Sequence, residues 1–440
     1  MNTPRIRSIL AIVAVVAIAV VAHAGDDLGL PRGDANALGM SSEKLAAIPG
    51  KLQGFVDKGQ LPGFVTVVAR QGKIVHFEAF GSMDVARDKP MRPDTIFRMY
   101  SMTKPITGVS VMILVDEGKV ALSDPVSKYI PEFADAKVFV EEKDGEILTE
   151  DAKTPMTVKH LMMHTGGLTY PGPGHPVAAL YLKSGASSDG GSGLSLEEFS
   201  KKVAEMPLLF QPGTDWNYGV SMDVLGRVVE VASGQRFAEF LQDRVFGPLG
   251  MKDSAFHVPA EKLDRFAANY GPEGDGMRLI DDPATSRYLK IPSQDSGGGG
   301  MVGTAADYLR FAQALLNGGE LGGVRIISEK SAHEMTTNQF GPEFGDAPLK
   351  LFPGIDFSGI GFGYCGAVVM DGHGTTLFGP SGVYSWGGAA STDFWIDKNE
   401  GLVGIVLTQL IPTATYPTRS IMQNAVYDAI VQSHAGGTGS

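Results

Sequence analysis

Residues 97–108 read FRMYSMTKPITG, and the pair inside them, Ser101 and Lys104, decides how the rest of the chain is read. A serine and a lysine three residues apart share one face of a helix. The segment that follows, PITGVSVMILVDEG (105–118), is apolar and stops at a glycine, so a helix opening near Ser101 is expected. A serine at a helix N-terminus has its own backbone N–H free to donate, and the helix dipole favours negative charge there. The neighbours Tyr100, Met102, Pro105 and Ile106 are largely apolar, and burial lowers a lysine's pKa from about 10.4 toward that of a useful base. The pair therefore fits a nucleophile beside its base. It fits equally a capping serine with a solvated lysine. A chain of this length holds roughly one or two such pairs by chance. A second does occur, Ser41 and Lys44 in MSSEKLAA. There, Ser41 and Ser42 suit the N-cap of an amphipathic helix that carries Leu45, Ile48, Leu52 and Phe55 on one stripe. Pro49 and Gly50 make that helix imperfect.

Composition narrows the choice. The chain has 440 residues, 43% hydrophobic and 20% charged, which suits one large soluble domain or two. The net charge of −12, with no basic run beyond the first seven residues, argues against nucleic acid as a partner. Nothing in the sequence points to a protein partner. Residues 1–25, MNTPRIRSILAIVAVVAIAVVAHAG, carry Arg5 and Arg7, an apolar run from Ile9 to Val21, and Ala22-His23-Ala24. This reads as a secretory signal cut after Ala24, leaving a periplasmic or secreted protein without a membrane anchor. The alternative is an uncleaved anchor, but the run is shorter than the ~20 residues a spanning helix needs. The single cysteine, Cys365, excludes an internal disulfide. It lies in GFGYCGAVV, an apolar strand-like segment, and reads as a small buried side chain.

The order of elements suggests a fold. After a loose lead-in (25–40), GFVTVVARQGKIVHFEAFG reads as a hairpin turning at Gln71-Gly72. The middle, 119–290, shows helices between Gly/Pro/Ser loops, among them TVKHLMMHTGG, capped by Thr157 and stopped by Gly166, and MDVLGRVVEVASG. AADYLRFAQALLNGG follows as another helix. From 361, GFGYCGAVVM, GAASTDFWID and GLVGIVLTQL read as strands, with a last helix at 417–432. Strands at both ends and helices between build one α/β domain from residues 41–118 and 291–433 and a mostly helical lobe from 119–290, with a cleft between them and a short tail at 434–440.

Other frameworks for catalysis are weaker. No G-x-S-x-G occurs. His160 and His164 sit at i, i+4, but the glutamate of a zinc helix is missing and no carboxylate is close, so a structural role is favoured and no metal or organic cofactor is implied. SGGGGMVGT lacks the lysine of a phosphate loop and reads as a turn that lets backbone approach a site.

Two further segments bear on Ser101. PGTDWNYGVSMDVLG places Tyr218 on a loop just before a helix, and GVYSWGGAASTDFW places Trp386-Gly387-Gly388 at the start of a strand. Ser101-x-x-Lys104, Tyr218 after a PGT turn and Trp386-x-Gly388 occur in an order and spacing that resemble the serine β-lactamase and penicillin-recognising superfamily. Within it, the chain is most similar to the class C-like branch and family VIII carboxylesterases. LMMHTGGL and GGGGMVGTAADYLRFAQALLNGG add to the likeness, which runs from about Pro62 to the last helix.

The resemblance implies an antiparallel sheet made from both chain ends, flanked by helices, and a serine hydrolase acting on small-molecule esters. It implies that Ser101 attacks an acyl carbonyl, that Lys104 and Tyr218 share the proton transfers, and that the backbone N–H groups of Ser101 and Ala389 form the oxyanion hole. Trp386, Gly387, Gly388 and Val220 would meet the substrate. Two departures matter. β-Lactam-processing members usually carry Tyr-x-Asn, where this chain has Val220, and Lys-Thr-Gly, where it has Trp386-Gly387-Gly388. A tryptophan cannot pair with a substrate carboxylate. The expectation is an esterase for short-chain or compact esters, with a β-lactamase or D-alanyl-D-alanine peptidase, and a catalytically silent envelope-binding protein, as the alternatives.

Overall fold

The computed structural model describes residues 28–186, 193–345, 349, 357–370 and 379–434. The expected signal segment, 1–24, lies outside the described residues. At its centre is an eight-stranded antiparallel sheet. Its strands, in chain order, are β1 (Gly63–Arg70), β2 (Lys73–Asp84), β3 (Lys89–Pro90), β4 (Ile360–Phe362), β5 (Ala367–Val369), β6 (Tyr384–Gly388), β7 (Thr392–Asp397) and β8 (Leu402–Leu407). Their order across the sheet is β4-β5-β6-β7-β8-β1-β2-β3. The β1–β2 turn is Gln71-Gly72, with φ of +51° and +74°, the left-handed pair a tight hairpin needs.

The seam between the two chain ends is β1 against β8, with Val65 opposite Leu407 and Arg70 opposite Leu402. Both strands, and β7, are buried along their whole length. Such strands read as unbroken apolar runs because layers cover both sheet faces. Helix Ala305–Leu316 packs on β1, β7 and β8, helix Ile48–Asp57 on β2, and helix Thr418–Asp428 on β8.

Several elements differ from expectation. GFGYCGAVVM is not one strand but the hairpin β4–β5, turned at Cys365, whose φ is +63°. The thiol is fully buried, and burial pushes its pKa up. The first amphipathic stretch is two helices, Ser42–Ala46 and Ile48–Asp57, with Pro49 in the first turn of the second, where its missing N–H costs nothing. The Ser41 hydroxyl accepts the Lys44 N–H at 3.3 Å and the Lys44 ammonium donates to the Asp428 carbonyl at 2.7 Å, so the second Ser–Lys pair is a cap and a tie between chain ends. The helix after Thr157 ends at Met162, and His164 at φ +57° turns the chain before Gly166 is reached. Residues 119–290 also hold two hairpins, Lys137–Lys143 with Glu146–Asp151 and Asn269–Glu273 with Gly276–Asp281.

The helix that follows Ser101, Thr103–Asp116, is buried on every side from Thr103 to Leu114 and packs against helix Ser221–Ser233. That explains its lack of a polar face. It also fixes its first turn between the sheet and the helical layer, where Ser101 and Lys104 sit.

Candidate active site

Ser101 lies in a single 3₁₀ turn, Tyr100–Met102, that runs into helix Thr103–Asp116. Tyr100 has φ +44°, a left-handed conformation that costs a non-glycine residue about 1–3 kcal/mol. Its surroundings hold it there. Phe97 and Arg98 pair with Gly303 and Val302, and the Met99 N–H donates to the Met301 carbonyl at 2.9 Å. The buried Arg98 donates to Asp281 and to the Ala267 carbonyl, both at 2.6 Å, and lies 4.0 Å over the Phe266 ring. The Tyr308 hydroxyl donates to the Met102 carbonyl at 2.9 Å, and Asn269 donates to the Tyr100 hydroxyl at 3.0 Å.

Two groups converge on the Ser101 hydroxyl. Lys104 Nζ donates at 3.1 Å and the Tyr218 hydroxyl at 2.8 Å. Lys104 is fully buried and also donates to the Tyr170 hydroxyl at 3.0 Å and the Gly298 carbonyl at 2.6 Å. These three oxygens can take the three N–H bonds of an ammonium. The nitrogen also sits 4.7 Å from the centre of the Tyr218 ring. Burial acts to lower this lysine's pKa, but the oxygens of Tyr170 and Tyr218 outweigh it, and the net shift is upward. Burial alone would have given the opposite sign, which is what the sequence suggested.

Tyr218 is clamped by aromatic rings. Trp216 stacks at 6.1 Å between centres, and His164, Tyr170 and Trp386 approach at 4.9, 5.4 and 5.5 Å. The His164 carbonyl accepts the Asn217 N–H at 3.0 Å, and Asn217 Nδ2 donates to the Leu168 carbonyl at 2.9 Å. His160 Nδ1 accepts the Thr157 N–H at 3.2 Å as half of a capping box. His164 is fully buried among Trp216, Tyr218 and Phe362, and burial lowers its pKa well below the usual value, so it is neutral. The two histidines thus have separate structural surroundings.

Trp386, Gly387 and Gly388 close strand β6 rather than open one, and Ala389 lies in the turn to β7. Their glycines are steric necessities. A Cβ on Gly387 would collide with the Asp393 carboxylate, and one on Gly388 with the Met99 carbonyl and the Thr392 hydroxyl. The end of β6 therefore lies against the turn that carries Ser101. Ser101, Tyr218, Trp386, Gly387, Gly388 and Ala389 line one cavity of about 510 Å³, together with residues of the loop from Ile411 to Pro417 and the first turn of helix Thr418–Asp428. Val220 does not join them. It is fully buried at the N-cap of helix Ser221–Ser233, away from the cavity lining. Arg419 lines the cavity, but its guanidinium donates to the Ser385 hydroxyl at 2.6 Å and faces Asp393 at 3.4 Å. Burial raises the Asp393 carboxyl to about 6, against the pull of Arg419.

Sequence reasoning missed Tyr170, a lone aromatic in a Gly/Pro loop with no spacing to mark it. The Gly-rich 296–300 segment does bring backbone to the site, since Gly298 supplies a carbonyl to Lys104 and Gly297 one to Thr107 Oγ1 at 2.7 Å.

The beta-lactamase family profile matches residues 49–425. The chain belongs to the beta-lactamase family. It is 32% identical over 424 residues to "Esterase EstB" of Burkholderia gladioli, covering 90% of this chain and 98% of that protein. It is 34% identical over 360 residues to "Protein Rv1367c" of Mycobacterium tuberculosis, covering 81% and 88%. Among solved structures it is similar to EstCE1, described as a hydrolase with promiscuous acyltransferase activity, at a TM-score of 0.75 and 27% identity over 88% of this chain and 99% of that one. The fold and family expected from the three motifs are those found.

Proposed function

We propose that this protein is an exported serine hydrolase that cleaves compact, neutral carboxylic esters through an acyl-enzyme on Ser101. The observation that carries the reading is the Ser101 hydroxyl held by both Lys104 and Tyr218 at the wall of a cavity. Similarity to proteins named esterase and hydrolase supports it.

The geometry suggests the steps. Ser101 Oγ attacks the ester carbonyl as its proton passes to the Lys104–Tyr218 pair, which must first have lost one proton. The carbonyl oxygen becomes an oxyanion and takes the N–H bonds of Ser101 and Ala389. The pair returns the proton to the departing alkoxide. Water then repeats the sequence on the acyl-enzyme, and the acid is released.

The walls of the cavity support this substrate class. By the motif resemblance Trp386 takes the place of the lysine usual in β-lactam-processing members; it lines the cavity, and the Arg419 guanidinium there already faces Asp393. A substrate carboxylate buried there without a cation would cost several kcal/mol. An apolar acyl or alcohol group against Trp386 gains about 25 cal/mol per Å². The test is kcat/KM for p-nitrophenyl butyrate and for a chromogenic cephalosporin, on wild type, Ser101→Ala and Trp386→Lys. The ester should be strongly preferred, Ser101→Ala should lose turnover of both, and Trp386→Lys should shift preference toward the cephalosporin. A wild-type enzyme equally efficient on both would make it a β-lactamase or D-alanyl-D-alanine peptidase instead. Export rests on residues 1–24 alone and is tested by the N-terminus of the protein recovered outside the cytoplasm, expected at Gly25.

A further inference from the structure

Lys104 is a fully buried cation whose hydrogen-bond partners are all neutral oxygens, from Ser101, Tyr170 and Gly298. A buried charge of this kind is stable only with excellent hydrogen bonding or a nearby opposite charge. The Gly298 carbonyl is its shortest contact, and Gly298 is itself held from behind. Its N–H donates to Asp223 Oδ1 at 3.1 Å, and the Ser296 hydroxyl donates to the same oxygen at 2.6 Å. Asp223 sits in the first turn of helix Ser221–Ser233 and is fully buried, and its other oxygen, Oδ2, has no hydrogen-bond partner among the described residues. That oxygen lies so close to Gly298 that a Cβ there would collide with it, while one on Gly297 would strike the Met222 carbonyl. The loop therefore lies directly on the helix terminus with no side chain between them.

We propose that Asp223 is a positioning residue for Lys104: through the Ser296–Gly298 loop its carboxylate aims the Gly298 carbonyl at the ammonium, and its negative charge balances that buried cation. A single residue connects the two groups, with its N–H on the carboxylate and its C=O on the lysine. Any displacement of the carboxylate is passed on to the lysine's hydrogen bond. Electrostatic attraction between Asp223 and Lys104 acts in the same direction. Tyr170 also bears on Asp223 from a neighbouring segment, and burial keeps it neutral. The inference rests on the esterase reading above, in which Lys104 works on the Ser101 proton.

The test uses the full-length protein with p-nitrophenyl butyrate. Asp223→Asn preserves shape and an acceptor oxygen but removes the charge. Ser296→Ala preserves the charge but removes one tie to the loop. For Asp223→Asn, which keeps the acceptor that aims Gly298 but removes the charge that holds the proton on Lys104, kcat at pH 7 should rise by about tenfold with KM changed less than about threefold, because the change falls on the proton-transfer unit rather than on substrate binding. Its unfolding temperature should stay within a few degrees of wild type. Ser296→Ala, which keeps the charge but loosens the loop that aims the Gly298 carbonyl, should lower kcat by about threefold at nearly constant KM. If Asp223→Asn folds and its kcat stays within about twofold or falls, the proposal is overturned. If it does not fold, Ser296→Ala decides in the same way: a loss confined to kcat supports the proposal, and an unchanged kcat overturns it. Ser101→Ala run alongside separates the two levels of the argument, since turnover surviving in that variant would sink the esterase reading itself.

Discussion

Lys104 carries the tension between burial and hydrogen bonding that sets the chemistry of this site. Burial alone would make it a free amine, but the surrounding oxygens leave it an ammonium. In the proposed mechanism the reactive state is one proton poorer, shared between Lys104 and Tyr218. Because the lysine's pKa lies above its ordinary value, that state is a minority near pH 7 and grows about tenfold per pH unit. Hydrolysis of a neutral ester, as kcat/KM corrected for buffer hydrolysis, should therefore rise steadily from pH 7 to 9. Other groups facing Lys104 do not change charge in this window. His164 is neutral, Asp223, raised by burial to about 6, is already ionised, and burial pushes Tyr170 and Cys365 upward. A profile flat above pH 7 would mean that the pair is already deprotonated at neutrality and that the charge assignment is wrong. The meeting of Ser101, Lys104 and Tyr218 was legible because three short motifs stand in an order and spacing that resemble one superfamily. Tyr170 and Asp223 were not, since each acts through contacts between segments distant in sequence, which spacing does not encode.

Strand β6 brings the second half of the site to the first. Its last residue, Gly388, touches the Met99 carbonyl two residues before Ser101, and the turn that follows carries Ala389. Gly388→Ala should wedge the strand away from the serine turn and misalign the two N–H donors proposed for the oxyanion. Losing one such donor typically costs about 10²–10³-fold in kcat, so a fall of about 10²-fold at nearly constant KM is expected, measured on protein whose near-UV spectrum matches wild type. Near-normal kcat would show that Ala389 is not a donor. Elements of this kind were partly readable. The β1–β2 hairpin declared itself through alternating β-branched residues around Gln71-Gly72. The hairpin 137–151 has an equally good signal in Asp144-Gly145, both at positive φ, but its strands are mostly exposed and charged, so no apolar pattern drew attention to it. The break at Cys365 was hidden because both arms of that hairpin are buried and read as one apolar run.

A sheet assembled from both ends of the chain must close those ends against each other, and one arginine does much of this. Arg70, the last residue of β1, is fully buried, and its head group is met by oxygens. It donates to the Gly39 carbonyl at 3.0 Å, to the Gln432 carbonyl at 2.9 Å and to the Glu400 carboxylate at 2.5 Å. One side chain thus ties the lead-in, the β7–β8 turn and the C-terminal segment together. Ser41 adds a backbone bond to the Ala429 carbonyl at 2.7 Å, and Lys44 its bond to Asp428. Arg70→Met keeps the volume of the stem but removes the arginine's N–H groups from the Gly39, Gln432 and Glu400 carbonyls and leaves the Glu400 carboxylate with Ser433 and the His434 N–H. Removing one partner of a buried pair costs about 3–5 kcal/mol. The midpoint of thermal unfolding should drop by about 5 °C or more, whereas Glu400→Gln, which keeps an acceptor at a partly exposed position, should cost far less. Arg70 does not line the cavity, so kcat at 20 °C should be unchanged for the folded variant. An Arg70→Met protein that unfolds at the wild-type temperature would show that the β1–β8 seam alone holds the two ends, and that the arginine is dispensable to the fold.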